Sequence, residues 1–214
     1  MNRLQFITHR TPNYSYTDGA RLALEGGCRW IQLRMKDKLK EEIIETGRTL
    51  RKMCDNYGAT FILDDHVEIV NAVGADGVHL GQMDMPIREA RDILGDKKII
   101  GGTANTLEEI RSLYHSGADY IGCGPFRYTT TKANLAPIIG LNGYENLMIY
   151  MSEEELDIPV IAIGGIQRQD VVPILQTGVS GIAISSALLQ AKDPVETMKL
   201  FIKDIVTYEA RIKN

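Results

Sequence analysis

Short runs rich in β-branched and other apolar residues alternate along the chain with longer stretches in which apolar residues recur at helical spacing. This is the pattern of successive βα units feeding a parallel sheet. The short runs are Leu4–His9, Arg29–Lys36, Thr60–Asp65, Gly77–Gly81, Lys98–Thr103, Tyr120–Phe126, Pro159–Ile166 and Gly181–Ser185, each bounded by Gly, Asp or Pro. Between them, Lys40–Tyr57 carries Ile43, Ile44, Gly47, Leu50, Arg51 and Cys54 as a mostly apolar stripe on a charged helix. Similar stripes recur at Leu107–His115 and Val171–Gln176, and Val195–Ile212 predicts one long closing helix. Several helical stretches end in glycine and a small residue just before the next strand, at Gly26-Gly27-Cys28, Gly74-Ala75, Gly117-Ala118 and Gly178-Val179. Glycine takes the left-handed conformation that closes a helix. Eight such units predict an α/β fold, a single (β/α)8 TIM barrel with residues 1–214 as one domain. An open doubly wound sheet is the alternative, and it loses ground because no early strand runs into a GxGxxG turn.

Composition trims the function classes. A length of 214 residues suits one barrel. The formal net charge of −4 is spread over mixed signs without a basic stripe, which argues against a nucleic-acid partner. The start, Met1 to Thr8, lacks the apolar run of a signal peptide, and no apolar stretch is long enough to span a bilayer, so a soluble cytoplasmic protein is expected. Cys28, Cys54 and Cys123 are far apart and lack CxxC spacing, which fits small core residues better than a disulfide or a zinc site. Homo-oligomerisation is left open.

In a barrel of this kind, polar residues at the carboxyl ends of the strands line the active site. The second strand ends in Gln32-Leu33-Arg34-Met35-Lys36, whose alternation turns Gln32, Arg34 and Lys36 to one side, and inward cations at a strand end are costly unless an anion meets them. The third strand ends in Asp64-Asp65, and Gly81-Gln82-Met83-Asp84 follows the fourth. Taken singly each Asp could equally cap a helix. Together they predict a hard divalent cation such as Mg2+, which lets carboxylates and a polyphosphate share a site. A second anion site is expected from Gly164-Gly165 after the seventh strand and Ser185-Ser186 after the eighth, where backbone N–H groups commonly cradle phosphate. Between them runs Gly124-Pro125-Phe126-Arg127-Tyr128-Thr129-Thr130-Thr131-Lys132, and the stretch onward to Leu141 reads either as a lid or as an ordinary surface loop. His79 and His115 read as structural histidines, while His9 and His66 lie nearer the rim and stay open.

The stretches QLRMK, LDDHVEIVNAVGADGVHLGQMD, ADYIGCGPFRYTTTK and IPVIAIGGI resemble, in order and spacing, the motifs of the thiamine-phosphate synthase family almost from end to end. That resemblance implies a TIM barrel that joins hydroxymethylpyrimidine pyrophosphate to a thiazole phosphate, giving thiamine phosphate and pyrophosphate with Mg2+ as cofactor. It implies that Gln32 contacts the pyrimidine, that Arg34, Lys36, Asp64, Thr103 and Lys132 surround the pyrophosphate, and that Asp65 and Asp84 hold Mg2+. It likewise assigns Thr129 and Thr131 to the thiazole phosphate and Gly164, Gly165, Ser185 and Ser186 to its phosphate group, with Arg34, Lys36 and Lys132 as the catalytic cations. The chain departs from the pattern at Asp64, where Asn is usual, at Tyr128 for Pro, at Asn105 for a frequent His, and at Ala133 for a second basic residue. Two rivals stand beside the synthase: a thiazole tautomerase of the same superfamily, which would need a proton carrier where Asn105 stands, and a non-catalytic phosphate-ligand-binding regulator, which Asp64 keeps in play.

Overall fold

A computed structural model of the protein describes residues 3–36, 38–129 and 137–212. Strands and helices alternate: β1 (Leu4–Ile7), α1 (Tyr16–Glu25), β2 (Trp30–Leu33), α2 (Lys40–Tyr57), β3 (Thr60–Asp64), α3 (Val70–Val73), β4 (Gly77–Leu80), α4 (Ile87–Leu94), β5 (Ile99–Ala104), α5 (Leu107–His115), β6 (Tyr120–Cys123), α6 (Gly140–Glu153), β7 (Val160–Ile163), α7 (Val171–Gln176), β8 (Gly181–Ile184), α8 (Ser186–Leu189) and α9 (Pro194–Ile212). Each strand pairs in parallel with the next, and β8 returns to β1 with Leu4 opposite Ile182 and Phe6 opposite Ile184, so the barrel is closed. An open sheet is thereby excluded.

The two-residue alternation of a strand sorts the core into two shells. Ile7, Trp30, Ile62, Tyr120, Ile161 and Ala183 pack together inside the barrel. The residues one position out of phase, such as Phe6, Ile31, Leu33, Phe61, Leu63 and Ile182, pack in the larger shell shared with the helices. Local signals fix where the helices start. Ser15 accepts the backbone N–H of Asp18 while the Asp18 carboxylate accepts that of Ser15, and Thr106 and Glu109 repeat the arrangement at α5. Gly47, in the apolar stripe of α2, sits where a Cβ would come within 2.5 Å of Val73, so it permits the close approach of α2 and α3.

The strands are shorter than the apolar runs suggest. Beyond Leu33 the chain leaves the ladder because the Arg34 N–H is donated to the Thr8 side chain at 3.0 Å. The stretch after β6 ends earlier than expected, since Leu141 already lies in α6. All three cysteines are buried, and burial pushes the Cys28 thiol up to about 11 and those of Cys54 and Cys123 to about 12, as core residues require.

Candidate active site

The inward phase of each strand carries polar residues toward the carboxyl-terminal mouth of the barrel. On β2, Trp30 fills the interior, Gln32 follows in the same phase, and Arg34 and then Lys36 line the cavity above. Gln32, Arg34, Lys36, Asp64, Asp65, Thr103, Thr129, Gly164, Gly165, Ser185 and Ser186 all line one cavity. Asp84 is not in its wall but stands at its edge, where its carboxylate accepts the backbone N–H of Gly81 at 2.6 Å. Thr131 and Lys132 lie outside the described residues, as does the segment 130–136 that would form the centre of a lid.

One half of the cavity is crowded with charge. Asp64 is 8 % exposed, receives the Gln32 amide N–H at 2.6 Å, and has Arg34 Nε at 3.6 Å and Lys36 Nζ at 3.8 Å. Burial and the neighbouring Asp65 carboxyl push the Asp64 carboxyl up to about 7 despite these cations. Lys36 also touches Asp65 directly. Burial works against the Lys36 charge, but Asp65, Asp64 and Asp84 hold its pKa above the ordinary value. Asp65 departs from β3 with a left-handed φ of 65°, a conformation Asp tolerates better than most residues. Burial and then Asp84 raise its pKa. The Asp84 carboxyl is held below its ordinary value by Asp65, Gly81 and Lys36, which together outweigh burial. Asp65 and Asp84 therefore titrate as a pair.

This donor set fits a hard cation. Two carboxyl groups that face each other beside Lys36 are stabilised by a shared proton, by that ammonium group or by a metal cation between them. Among the described residues no three His, Cys, Asp or Glu side chains are grouped to hold a metal ion. Mg2+ characteristically takes only one or two carboxylates and completes its shell with water and substrate oxygens.

The other half is built from backbone and hydroxyl groups. Gly164 and Gly165 have φ of 99° and 68°, and a Cβ on either would meet the loop after β6, at Pro125 for Gly164 and at the Tyr128 and Arg127 carbonyls for Gly165. Arg127 ties that loop down with a two-pronged pair to Asp170 at 2.8 and 2.9 Å and a bond to the Gly165 carbonyl at 3.2 Å. Ser185 Oγ is buried and has no hydrogen-bond partner among the described residues.

Sequence reading missed several wall residues. Gln5, Thr8, His79, Asn105, Gly122 and Ile163 line the same cavity. Gln5 and His79 could have been found from strand phase, since they share the inward set with Ile7 on β1 and with Asp64, opposite His79, on β3. Asn105 donates to the Gly124 carbonyl and accepts from Gln82 at 3.2 Å, so its amide braces the start of the loop after β6.

The chain is similar to known proteins over most of its length. A family model described as thiamine monophosphate synthase matches residues 4–188. This chain belongs to that family. Within the thiamine monophosphate synthase family, a thiamine-phosphate synthase of Phocaeicola vulgatus is 57 % identical over 196 residues, covering 92 % of this chain and 94 % of the relative. One from Bacteroides fragilis is 56 % identical over 199 residues, covering 93 % and 98 %. A solved structure, the thiamine phosphate pyrophosphorylase of Pyrococcus furiosus, superposes with a TM-score of 0.85 at 38 % identity and covers 96 % of each chain. The structure-based likeness and the family model agree with the TIM barrel and the family expected from QLRMK, GVHLGQMD and the Gly-Pro loop.

Proposed function

We propose that this protein is a thiamine-phosphate synthase that displaces pyrophosphate from hydroxymethylpyrimidine pyrophosphate with the ring nitrogen of a thiazole phosphate. The observation that supports this reading best is one cavity with two anion-binding halves of different build: Arg34 and Lys36 beside Asp64 and Asp65 on one side, and the Gly164-Gly165 turn with Ser185 and Ser186 on the other. A mono-anion enzyme has no need of both.

In this reading Gln32 meets the pyrimidine at the cavity floor. Arg34, Lys36, Thr103 and, from the sequence pattern, Lys132 surround the pyrophosphate. Asp65 and Asp84 would hold Mg2+, which when bound would offset charge on the leaving pyrophosphate. The carbon–oxygen bond to pyrophosphate breaks, its electron pair leaves on the pyrophosphate oxygen, and the thiazole nitrogen lone pair forms the new carbon–nitrogen bond. No protein group has to take a proton from carbon. The chain's contribution is therefore to neutralise developing charge and to hold the nucleophile in line. Thr129, Thr131, Ser185, Ser186 and the glycine turn fix the thiazole phosphate.

Asp64 enters as a carboxyl pushed up to about 7, about half protonated at neutral pH, because burial and Asp65 favour the uncharged form against Lys36, Arg34 and Gln32. In that form it can face an anion as the usual Asn would. The tautomerase alternative loses support because Asn105 stands in place of a proton carrier: an amide does not shuttle protons, and its side chain is tied to the Gly124 carbonyl and to Gln82. We read residues 1–214 as one domain, since β8 closes onto β1, and place the protein in the cytoplasm. No helix among the described residues is long and apolar enough to cross a membrane. The decisive experiment is mass-spectrometric detection of thiamine phosphate from purified protein, Mg2+ and both substrates. Binding of both substrates without product would favour the regulator.

A further inference from the structure

Below the pyrophosphate half, a line of polar side chains crosses the barrel interior. The Gln5 amide N–H faces the Tyr120 oxygen at 3.5 Å, the Tyr120 oxygen lies 3.1 Å from His79 Nδ1, and His79 Nε2 lies 2.9 Å from Thr103 Oγ1. Thr103 is half-buried in the cavity wall, while Gln5 and Tyr120 are fully buried. The line is built into the packing. Gly101 leaves the space taken by the Tyr120 ring, and a Cβ on Gly122 would stand 2.9 Å from His79 Cε1. Trp30 holds Tyr120 from the other side with an edge-on contact, ring centres 4.9 Å apart. A barrel interior that needed only to be filled would carry apolar side chains here.

The direction of the hydrogen bonds follows from what each group has to offer. An amide N–H can only donate, so the Tyr120 oxygen accepts from Gln5 and its own hydrogen is left for His79. Burial keeps Tyr120 a phenol far above its ordinary range, so that hydrogen is always present. A phenol is the better donor and an imidazole nitrogen the better acceptor of the two. Nδ1 of His79 is then the acceptor and Nε2 carries the ring hydrogen. That hydrogen occupies a lone pair of Thr103 Oγ1.

We propose that Gln5, Tyr120 and His79 are positioning residues that lock one tautomer of His79, so that Thr103 turns its hydroxyl hydrogen into the cavity as a permanent donor to an anionic ligand oxygen. Without the lock, His79 protonated at Nδ1 would accept from Thr103, and the ligand would meet a lone pair in place of a hydrogen. The ligand end of this inference rests on the pyrophosphate reading above. The tautomer does not.

Two measurements separate these parts. In protein labelled with 15N-histidine, long-range 1H–15N correlation reports which ring nitrogen is protonated, and the His79 signals are assigned by their loss in His79→Gln. We expect protonated Nε2 and bare Nδ1 in the wild type at neutral pH, and a mixture of tautomers in Tyr120→Phe. Protonation at Nδ1 in the wild type overturns the proposal. Calorimetric titration with Mg2+ and inorganic pyrophosphate should show about tenfold weaker binding for Thr103→Val, as expected for loss of one hydrogen bond to a charged oxygen. Tyr120→Phe should lose about threefold, and Tyr120→Phe/Thr103→Val no more than Thr103→Val alone, because both act through one hydroxyl. Losses that multiply in the double variant, with all proteins folded by near-ultraviolet circular dichroism, overturn it. A wild type with the expected tautomer that fails to bind magnesium pyrophosphate counts against the proposed function and the ligand end of the line, and supports the hydrogen-bond direction.

Discussion

Replacing Asp64 with Asn should make the protein more stable, and more so as the pH rises. The Asp64 carboxyl is held at about 7 in the folded protein against an ordinary 3.8, because it is buried and lies beside Asp65. Between those two values the unfolded chain has released the proton while the folded chain retains it. Folding therefore takes up a proton in this window, and stability falls as the pH climbs through it. From pH 5 to pH 7 the loss amounts to about 2 kcal/mol, taking about 1.4 kcal/mol for each pH unit of fully unequal protonation and less as the folded carboxyl begins to ionise near 7. An Asn amide has no such charge to bury and can still pair with Gln32 if that amide turns over, so Asp64→Asn escapes the loss. Urea unfolding of both proteins in metal-free buffer at pH 5, 6, 7 and 8 measures the difference directly, urea being uncharged and leaving ion pairs unscreened. The stability advantage of Asp64→Asn should grow by about 2 kcal/mol between pH 5 and 7 and then level off. A difference that stays constant across that range, or that shrinks with pH, would show that Arg34 and Lys36 keep Asp64 ionised throughout.

Asp65→Ala should lower turnover by orders of magnitude and blunt its response to Mg2+ concentration, with the circular dichroism spectrum unchanged; full activity would remove Asp65 from the site. Ser186→Ala should raise KM for the thiazole phosphate about fivefold, the equivalent of about 1 kcal/mol, and leave the pyrimidine substrate untouched. Lys132→Ala should do the reverse and depress kcat more than affinity, and equal losses for both substrates in both variants would contradict the division of the cavity. Tyr144→Phe should cost about 1 kcal/mol of unfolding free energy without altering kinetics, since the buried Tyr144 hydroxyl donates to the Cys123 carbonyl at 2.6 Å on the far side of β6 from the cavity.

The eight strands were legible because each apolar run is bounded by turn residues and a (β/α)8 barrel repeats one local unit. The rim residues Gln32, Arg34 and Asp64 were legible for a related reason: alternation along a strand fixes which side chains face inward, and polar residues in the inward phase stand out against apolar neighbours, whereas Asp65 reaches the cavity through its left-handed turn after β3. His79, expected to be a structural histidine, does have both ring nitrogens bonded within the protein, but its place in the cavity wall was not legible. Flanked by Val78 and Leu80 it looks like one more core residue, and its bonds to Tyr120 and Thr103 come from β6 and β5, which no local pattern connects. The bracing of Gly165 by Arg127 and Asp170 was hidden likewise, because it joins residues 43 positions apart in the chain. Strand ends were drawn too long because apolar character continues past the last ladder bond, as at Met35, which is buried although β2 has ended.

Closure of β8 onto β1 has a consequence for the binding site. With that seam open the strands would make a ribbon with two naked edges, each a template for another chain. Neither half of the cavity faces the other in such a ribbon. The β1–β8 pairing is also the strand contact with the greatest separation along the chain, the kind that carries the largest loop-closure entropy. The pairing that removes the barrel's two edges is thus the same one that brings the halves of the cavity together, and a ligand that bridges both halves would stabilise the closed form over the open one.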